Sequence, residues 1–586
     1  MIAEKLSELF KKNIRLWTED GKLKFKASAG VLTGEDKEFL KANKEKIINY
    51  LLNDEIKIEI DKEHQYEPFG MTEIQQAYVL GRNPAFEYGG TACHIYMELE
   101  YDSLDTDKVQ SVWNKLIKRH NMLHAVMSVD GYQQILHDVP EFNVEVVECD
   151  SNNEAEKRAA IKSELDHKIY DTSKFPLFSV VVSKGTTKDI MHFSIEFVTA
   201  DWSSIWTVLS EFESLYFNPE KELPQLELTF RDYLIAEKKL RQGSKYYRDK
   251  EYWLDRIDNL PSAPELPVLS VKDNNEVRFE RSQFSISKEK WDKFCATAKK
   301  LGVTPASSVM TAYGMAIARW SRNKSFCLNL SILNRLELHP EVSSIIGDFT
   351  ASSLLEVEHK KDSCFRDIVV QTNQRLFDDL DHRLFTGVNV LREIQQRKGT
   401  SLMPYVFTGA IGLISPEKSR LKGKMNNNGI SQTPQVFMDC QAMDTAEGLN
   451  INIDYRAGIF PENVVNDICG VMQSLLEKLS EDESFWIKAP FRIDLPEWQK
   501  EVRKKVNDTH REQRKYLLHE KVIEQLEKNP EAFAVADSET SWTCAELYSA
   551  VKNTVAELKK KGVGKGDFVA VAIPKSRWQI VACLAI

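Results

Sequence analysis

Apolar residues recur in two rhythms along this 586-residue chain, and the switches between the rhythms mark out its segments. Leu6, Leu9, Phe10 and Ile14 follow helical spacing, which predicts a short amphipathic helix. Leu16-Trp17 and then Gly21 to Ala27 (GKLKFKA) alternate with period two, as strands do. Lys22, Lys24 and Lys26 therefore project to one face, and Leu23, Phe25 and Ala27 to the other. Thr33 with Asp36 supplies a helix cap, and Phe39, Leu40, Ile47, Ile48 and Leu51 form the apolar stripe of a second helical segment. Residues 1–58 thus read as a unit of their own, and Asp54 to Glu67 is a polar connection.

Helical and strand-like patterns then alternate, which predicts an α/β fold. Ser111–Arg119 reads as helix with Val112, Leu116 and Ile117 facing inward, and Ser179–Val182 and Ile190–Thr199 read as β-branched strands. The prolines between Leu260 and Pro267 favour an extended connector, after which a second lobe begins. Thr304-Pro305 opens a helix that ends near Trp320, the threonine as N-cap and the proline at the first helical position. The polar, glycine-punctuated run from Lys422 to Gly429 reads as a surface loop, either passive or gating a cavity. A charged stretch from Trp498 to Val506 separates this region from a final segment.

Hydrophobic residues make up 42% of the chain and charged residues 28%, an ordinary globular balance with several cores. The net charge of -10 argues against general nucleic-acid binding. No apolar run reaches the ~18 residues needed to cross a bilayer, and the N-terminus lacks a secretory-signal layout. The nine cysteines stand singly, without a CxxC pair, which suits a reducing cytoplasm and supports neither a disulfide framework nor a metal site. Each reads as a small buried hydrophobe.

An ordered series of motifs carries more. Phe69 to Arg82 (FGMTEIQQAYVLGR), Arg119 to Leu123 (RHNML), Gly347 to Thr350 (GDFT), Pro404 to Thr408 (PYVFT) and Ser431 to Asp439 (SQTPQVFMD) follow one another. Together they resemble the heterocyclization domains of nonribosomal peptide synthetases, over residues 66–490. The resemblance implies two chloramphenicol-acetyltransferase-like lobes, about 66–255 and 268–490, forming a V-shaped pseudodimer around a tunnel. In the first motif Gly70 and Met71 replace the usual Pro-Leu, and Gln75, Tyr78 and Arg82 read as scaffold. Residues 1–58 resemble the N-terminal docking domains of hybrid assembly lines. There Lys22, Lys24 and Lys26 would select an acidic peptide from an upstream synthase at an open strand edge; the alternative is lysines that only block edge-to-edge aggregation. Residues 491–515 read as a linker. Residues 516–586 resemble the truncated start of an adenylation domain, before its phosphate-binding loop, so ATP and magnesium chemistry belong to the part not present. The resemblance implies no directly bound cofactor: substrates arrive on the phosphopantetheine arms of donor and acceptor carrier proteins.

The HHxxxDG motif of amide-forming condensation domains is absent. In its place EFVTADWSS resembles the DxxxxDxxS signature of heterocyclization domains, with Glu196 in the first aspartate position, then Asp201 and Ser204. Asp201 reads as a structural partner for an arginine such as Arg335, and His192, four residues before Glu196, as a satisfied histidine.

Ring formation demands that hydroxide never leave unaided, and a carboxyl group with a raised pKa can relay the protons. Asp439 follows the apolar run Val436-Phe437-Met438, which would desolvate it. The resemblance assigns cyclodehydration to Asp439 and Thr408, as proton relay and orienting hydroxyl. It gives Asn334 a supporting role toward the substrate amide; Gln432 and Thr433 read either as orienting Asp439 from behind or as satisfying the backbone of the turn at Pro434. Asp454 stands where the family often has a Trp-Asp pair, with Ile453 replacing the tryptophan. The expected activity is condensation of an upstream acyl group with Cys, Ser or Thr and dehydration to a thiazoline or oxazoline. The alternatives are linear amide formation alone and a non-catalytic module that docks carriers.

Overall fold

In the first lobe, Trp113 is fully buried, its ring 5.2–5.7 Å from those of Phe178, Phe193 and Phe212. These aromatics come from two strands and two helices, so they fix where sheet and helices meet. The computed structural model describes residues 5, 9, 14–19, 22–27, 32–52, 57–269, 277–358, 360, 362–399, 402–412 and 421–586. They divide into two compact units, Met1–Pro496 and Glu497–Ile586.

At the N-terminus, strands Arg15–Glu19 and Lys22–Lys26 pair antiparallel. Helices Gly34–Ala42 and Lys44–Leu52 follow. Thr33 Oγ1 accepts from the Asp36 amide and Asp36 Oδ2 from the Thr33 amide, both at 3.2 Å, forming a reciprocal cap. Leu9, Ile14, Leu16, Leu40 and Ile47 form the core, with Leu23 and Ala27 against it. Phe25 departs from the expected pattern: it is 53% exposed. Among the described residues, Lys22–Lys26 pairs only with Arg15–Glu19, and Lys22 and Lys24 are exposed. Leu6, Phe10 and the side chains of Trp17, Lys26 and Leu51 lie outside the described residues.

The first-lobe sheet runs Lys424–Met425, His94–Tyr101, Asp189–Glu196, Phe178–Lys184, Glu145–Glu148. Helices Thr106–Arg119 and Trp202–Phe217 cover one face through the core centred on Trp113. Helix Glu154–Leu165 lies on the other, with Ile161 and Leu165 packed near Tyr96 and Val181.

The second-lobe sheet has six strands, in the order Phe279–Ser287, Gly448–Arg456, Met438–Thr445, Tyr405–Gly409, Ser325–Leu333, Thr350–Glu358. It is mixed: Tyr405–Gly409 is parallel to both neighbours and the other pairings are antiparallel. Helices Lys288–Lys300, Pro305–Trp320, Phe365–Asp381 and Val464–Glu481 contribute to the apolar core on one of its faces. Thr304 caps the second of these, accepting from the Ser307 amide at 3.1 Å, with Pro305 at the first position.

The run read as a surface loop is where the lobes interlock. Lys424–Met425 and Ile430–Gln432 leave the second lobe and pair antiparallel with His94–Tyr101 of the first. Between them, Asn426 and Asn428 donate to the buried Glu98 carboxylate. Exposed asparagines suggest a loop by composition, but here their amides satisfy a carboxylate that burial would otherwise strand. The lobes also touch where Gly81 meets Pro434: a Cβ on Gly81 would lie 2.4 Å from the proline's.

The second unit contains helix Glu497–Asn507 within the stretch read as linker, then helices Leu518–Lys528, Cys544–Lys560 and Arg577–Ala585. A two-stranded sheet, Phe533–Ala536 with Ser541–Thr543, joins them around Leu526, Leu547, Val551 and Val581.

Candidate functional site

Strand alternation makes the site. On Met438–Thr445, Met438, Cys440 and Ala442 enter the helix-covered core, while Asp439, Gln441 and Met443 line a cavity between the lobes. On Gly448–Arg456, Ile451 and Ile453 face the core and Asn450 and Asn452 the cavity. The cavity, of about 550 Å³, lies within the range that holds small-molecule ligands. Tyr78, Cys93, Met97 and Trp202 close it from the first lobe. Cross-strand register then aligns the polar side chains in rows. Arg281, Asp454 and Asp439 are successive partners in one row. Asn452, Gln441 and Thr408 form the next.

Asp439 lies in this cavity, half-buried. Thr408 Oγ1 donates to its Oδ1 at 2.9 Å, and Gln441 Nε2 donates to its Oδ2 at 3.1 Å. Burial pushes its pKa up to about 6, against the pull of the Gln441 and Thr408 hydrogen bonds; neighbouring Asp454 raises it further and Arg281 opposes. Asp454 is fully enclosed by donors. Arg281 grips it with Nε at 2.6 Å and Nη2 at 2.7 Å. Ser431 donates to its Oδ2 through its amide at 2.9 Å and its hydroxyl at 2.8 Å. Gln441 Nε2 adds a contact at 3.0 Å.

The supporting residues divide differently from the sequence reading. Gln432 and Thr433 were expected behind Asp439, but Ser431 and Gln441 occupy that position. The reason is alternation in Ile430–Gln432: Ser431 points toward Asp454, and Gln432 turns to the opposite side, buried with its amide atoms unpartnered. Thr433 does line the cavity, its Oγ1 3.5 Å from Cys93 Sγ. Asn334 borders a separate chamber of about 30 Å³ with Asp348 and Ser352, apart from Asp439.

Asp201 and Ser204 sit at the start of helix Trp202–Phe217. Asp201 caps it, accepting from the Ser204 amide at 2.7 Å, and pairs across the lobes with Arg335 at 3.1 Å. Arg335 Nη2 also donates to Ser204 Oγ at 2.7 Å, and Ser204 Oγ donates to the Gly347 carbonyl at 2.9 Å. Glu196 is buried against Arg82, away from the cavity lining; burial raises it to about 7 while the Arg82 guanidinium opposes. His192 lies between Tyr96 and Ser183, and burial lowers it to about 4. Gln441, Ser431 and Arg281 were missed by the sequence reading. For Gln441 a signal was present, since it lies two residues after Asp439 on a period-two strand; Arg281 carries none, being 158 residues upstream of Asp439 and brought in by the fold.

Residues 71–489 match the family described as Condensation domain. Residues 2–53 match the TubC N-terminal docking domain and residues 522–586 the AMP-binding enzymes. Pyochelin synthetase PchF of Pseudomonas aeruginosa is 33% identical over 598 aligned residues, covering 100% of this chain and 32% of that protein. Phenyloxazoline synthase MbtB of Mycolicibacterium paratuberculosis is 31% identical over 538, covering 90% and 45%. The chain thus spans under half the length of both relatives. The cyclization-docking bidomain of EpoB from Sorangium cellulosum superposes with a TM-score of 0.69 at 27% identity, over 82% of this chain and 99% of that one. The nonribosomal peptide synthetase FmoA3 does so with a TM-score of 0.81 at 27% identity, over 90% and 55%.

Proposed function

The chain belongs to the condensation-domain family, and from that premise we propose that it condenses an upstream carrier-bound acyl group with a carrier-bound Cys, Ser or Thr and cyclodehydrates the product to a thiazoline or oxazoline. The observation that carries this reading is the environment of Asp439: a carboxyl raised to about 6, in a cavity, with a hydroxyl on one oxygen. Relatives named as a phenyloxazoline synthase and a cyclization bidomain support it.

The chemistry runs in three steps. The amine of the downstream residue attacks the acyl thioester, and thiolate leaves. The side-chain thiol or hydroxyl then adds to the new amide carbonyl, giving a hydroxy-azolidine. Finally the C–OH bond breaks as Asp439, through Thr408, delivers a proton to the departing oxygen. The ring nitrogen forms the C=N bond and returns its proton to Asp439, so one water leaves and the carboxyl is restored. With substrate filling the cavity, less water solvates Asp439, which raises its pKa further toward neutrality.

Asp201, Ser204 and Arg335 hold the lobes together around this cavity, and Glu196 with Arg82 braces the first lobe; both roles are positional. In the N-terminal unit, the Lys22–Lys26 strand edge, with Lys22, Lys24 and Lys26, would receive an acidic segment of an upstream synthase. The carrier proteins bring phosphopantetheine-bound substrates to the cavity in a cytoplasmic assembly line. Among the described residues no helix is long and apolar enough to cross a membrane.

The test presents loaded donor and acceptor carrier proteins and weighs the carrier-bound product. A mass one water below the linear amide supports ring formation. The linear amide alone supports simple condensation, and no transfer supports a docking module.

A further inference from the structure

Gln441 touches both carboxylates of the site, and nothing in the reaction as derived so far requires it. Its Nε2 lies 2.6 Å from Ser431 Oγ, 3.0 Å from Asp454 Oδ2 and 3.1 Å from Asp439 Oδ2. The orientation of this amide is fixed by chemistry. Asp454 accepts two bonds from Arg281 and two from Ser431, so the end of Gln441 facing it must be the NH₂ end. Ser431 Oγ spends its own hydrogen on Asp454, leaving a lone pair for Gln441. One N–H of Gln441 is thereby held by the Ser431–Asp454 pair, and the other is directed at Asp439.

We infer that Gln441, locked by Asp454 and Arg281, is the positioning residue that confines the transferable proton of Asp439 to Oδ1, the oxygen facing Thr408. A proton on Oδ2 would set an O–H donor against the N–H of Gln441, leaving a donor unsatisfied. On Oδ1 it points along the 2.9 Å contact to Thr408 Oγ1. When the ring hydroxyl departs, Oδ1–H passes its proton to Thr408 Oγ1 while the Thr408 hydroxyl gives its own to the leaving oxygen. The C–O bond breaks, the nitrogen lone pair forms C=N, and the N–H proton returns to the carboxylate. No proton is gained or lost by the protein.

The groups that face Asp439 are few. Asp454 comes from the adjacent strand, Arg281 from the strand beyond it and Tyr78 from helix Glu73–Gly81, while Tyr313 of helix Pro305–Trp320 and Cys440 lie on the core side of the sheet. Burial pushes the two tyrosines and the cysteine well up, so they stay neutral and Asp454 and Arg281 are the charges that act.

This inference rests on the proposed cyclodehydration, and the experiment separates the two. Water loss from the carrier-bound product is timed between pH 5 and 9 for the full chain, Gln441→Met, Gln441→Glu and Asp439→Ala, with thermal unfolding recorded in the same buffers. Because the protonated carboxyl is the donor, water loss slows as pH rises through the pKa of Asp439. Gln441→Met removes the donor that favours the carboxylate, so this limb moves up by about one pH unit. The rate below the limb falls about twofold, because the proton divides between both oxygens and only the half on Oδ1 faces Thr408. Gln441→Glu places a third carboxylate beside Asp439 and Asp454 and moves the limb further in the same direction. A limb and plateau unmoved in both variants, while Asp439→Ala abolishes water loss, overturns the role of Gln441. Continued water loss in Asp439→Ala overturns the ring-forming reading itself, and this inference with it.

Discussion

Asp439 and Asp454 stand directly opposite each other on adjacent antiparallel strands, yet their surroundings differ. Asp454 is gripped by a bidentate guanidinium and capped by a backbone amide. Asp439 has two weaker donors and an apolar wall, and burial raises it to about 6. Paired carboxyls in contrasting environments are the usual arrangement where one anchors the site and the other moves a proton.

That contrast predicts how Asp439 variants fail. Asp439→Asn keeps the shape and accepts from Thr408, but has no proton to relay. Water loss should fall by about 10²-fold or more, the range ascribed to a positioned general acid. Thr408→Val keeps the strand packing and removes the hydroxyl, with a smaller loss of about 10-fold. Mass spectrometry of the carrier-bound product should show the linear amide accumulating in both; full ring formation in Asp439→Asn would remove Asp439 from the mechanism.

Arg281 gives a stability prediction on the same row. Asp454 is 1% exposed, so Arg281→Met leaves a buried carboxylate with only neutral donors. Removing one partner of a buried pair typically costs about 3–5 kcal/mol. Chemical denaturation of Arg281→Met should show a loss of that order, and Arg281→Met/Asp454→Leu should recover part of it. A loss under about 0.5 kcal/mol would mean that water, and not Arg281, satisfies Asp454.

Arg335 is the corresponding joint between the lobes. Its guanidinium meets Asp201 and Ser204 of the first lobe, the Val342 and Ile345 carbonyls of the second, and the Phe349 ring at 4.0 Å. Arg335→Lys keeps the charge but cannot make these contacts together. The melting temperature should drop, with faster amide exchange at Ser204 and Phe349, whose N–H groups both bond Asp201. Unchanged exchange at both amides would show that the cap on Asp201 stands without the arginine.

Much of this was legible in the chain before any coordinates. The cap and first-position proline at Thr304-Pro305 gave the helix to Trp320, because capping is a local property of the sequence. The motif order identified the family, and the apolar run before Asp439 pointed to a desolvated carboxyl; the period-two alternation that also exposes Gln441 was present in the chain but was passed over. The crossover at 424–432 was not legible: its strands are short, polar and paired to a partner more than 300 residues away. Nor was the partner of Asp454, since Arg281 becomes adjacent only through the register of an edge strand. The exchange of Ser431 for Gln432 in the supporting role turned on one residue of register, which no local pattern determines.

Asp348 sits in the GDFT motif and offers a prediction about pH that does not involve catalysis. Its side chain is fully buried, with one oxygen accepting from the Thr350 amide at 3.0 Å and the other unpartnered. Burial, with nearby Asp201 adding, raises it to about 8. Unfolded, it would titrate near its ordinary value of 3.8. Between those values the folded chain holds a proton that the unfolded chain has released. Stability from this group is therefore full below pH 4 and declines as pH rises toward 8. Glu196, raised to about 7, acts in the same direction, whereas His94 and His192, lowered by burial to about 3 and 4, act in the opposite one below pH 6.5. A melting curve of the unaltered protein mixes these effects, so the difference between it and Asp348→Asn isolates one. Asn keeps the acceptor for Thr350 and cannot ionise. The variant should match the parent below about pH 4 and exceed it increasingly toward pH 8, where the parent must either ionise Asp348 in an apolar site or hold its proton against the solvent. A constant offset between the two melting curves across that range would show that Asp348 stays ionised when folded, satisfied by a donor such as Arg335.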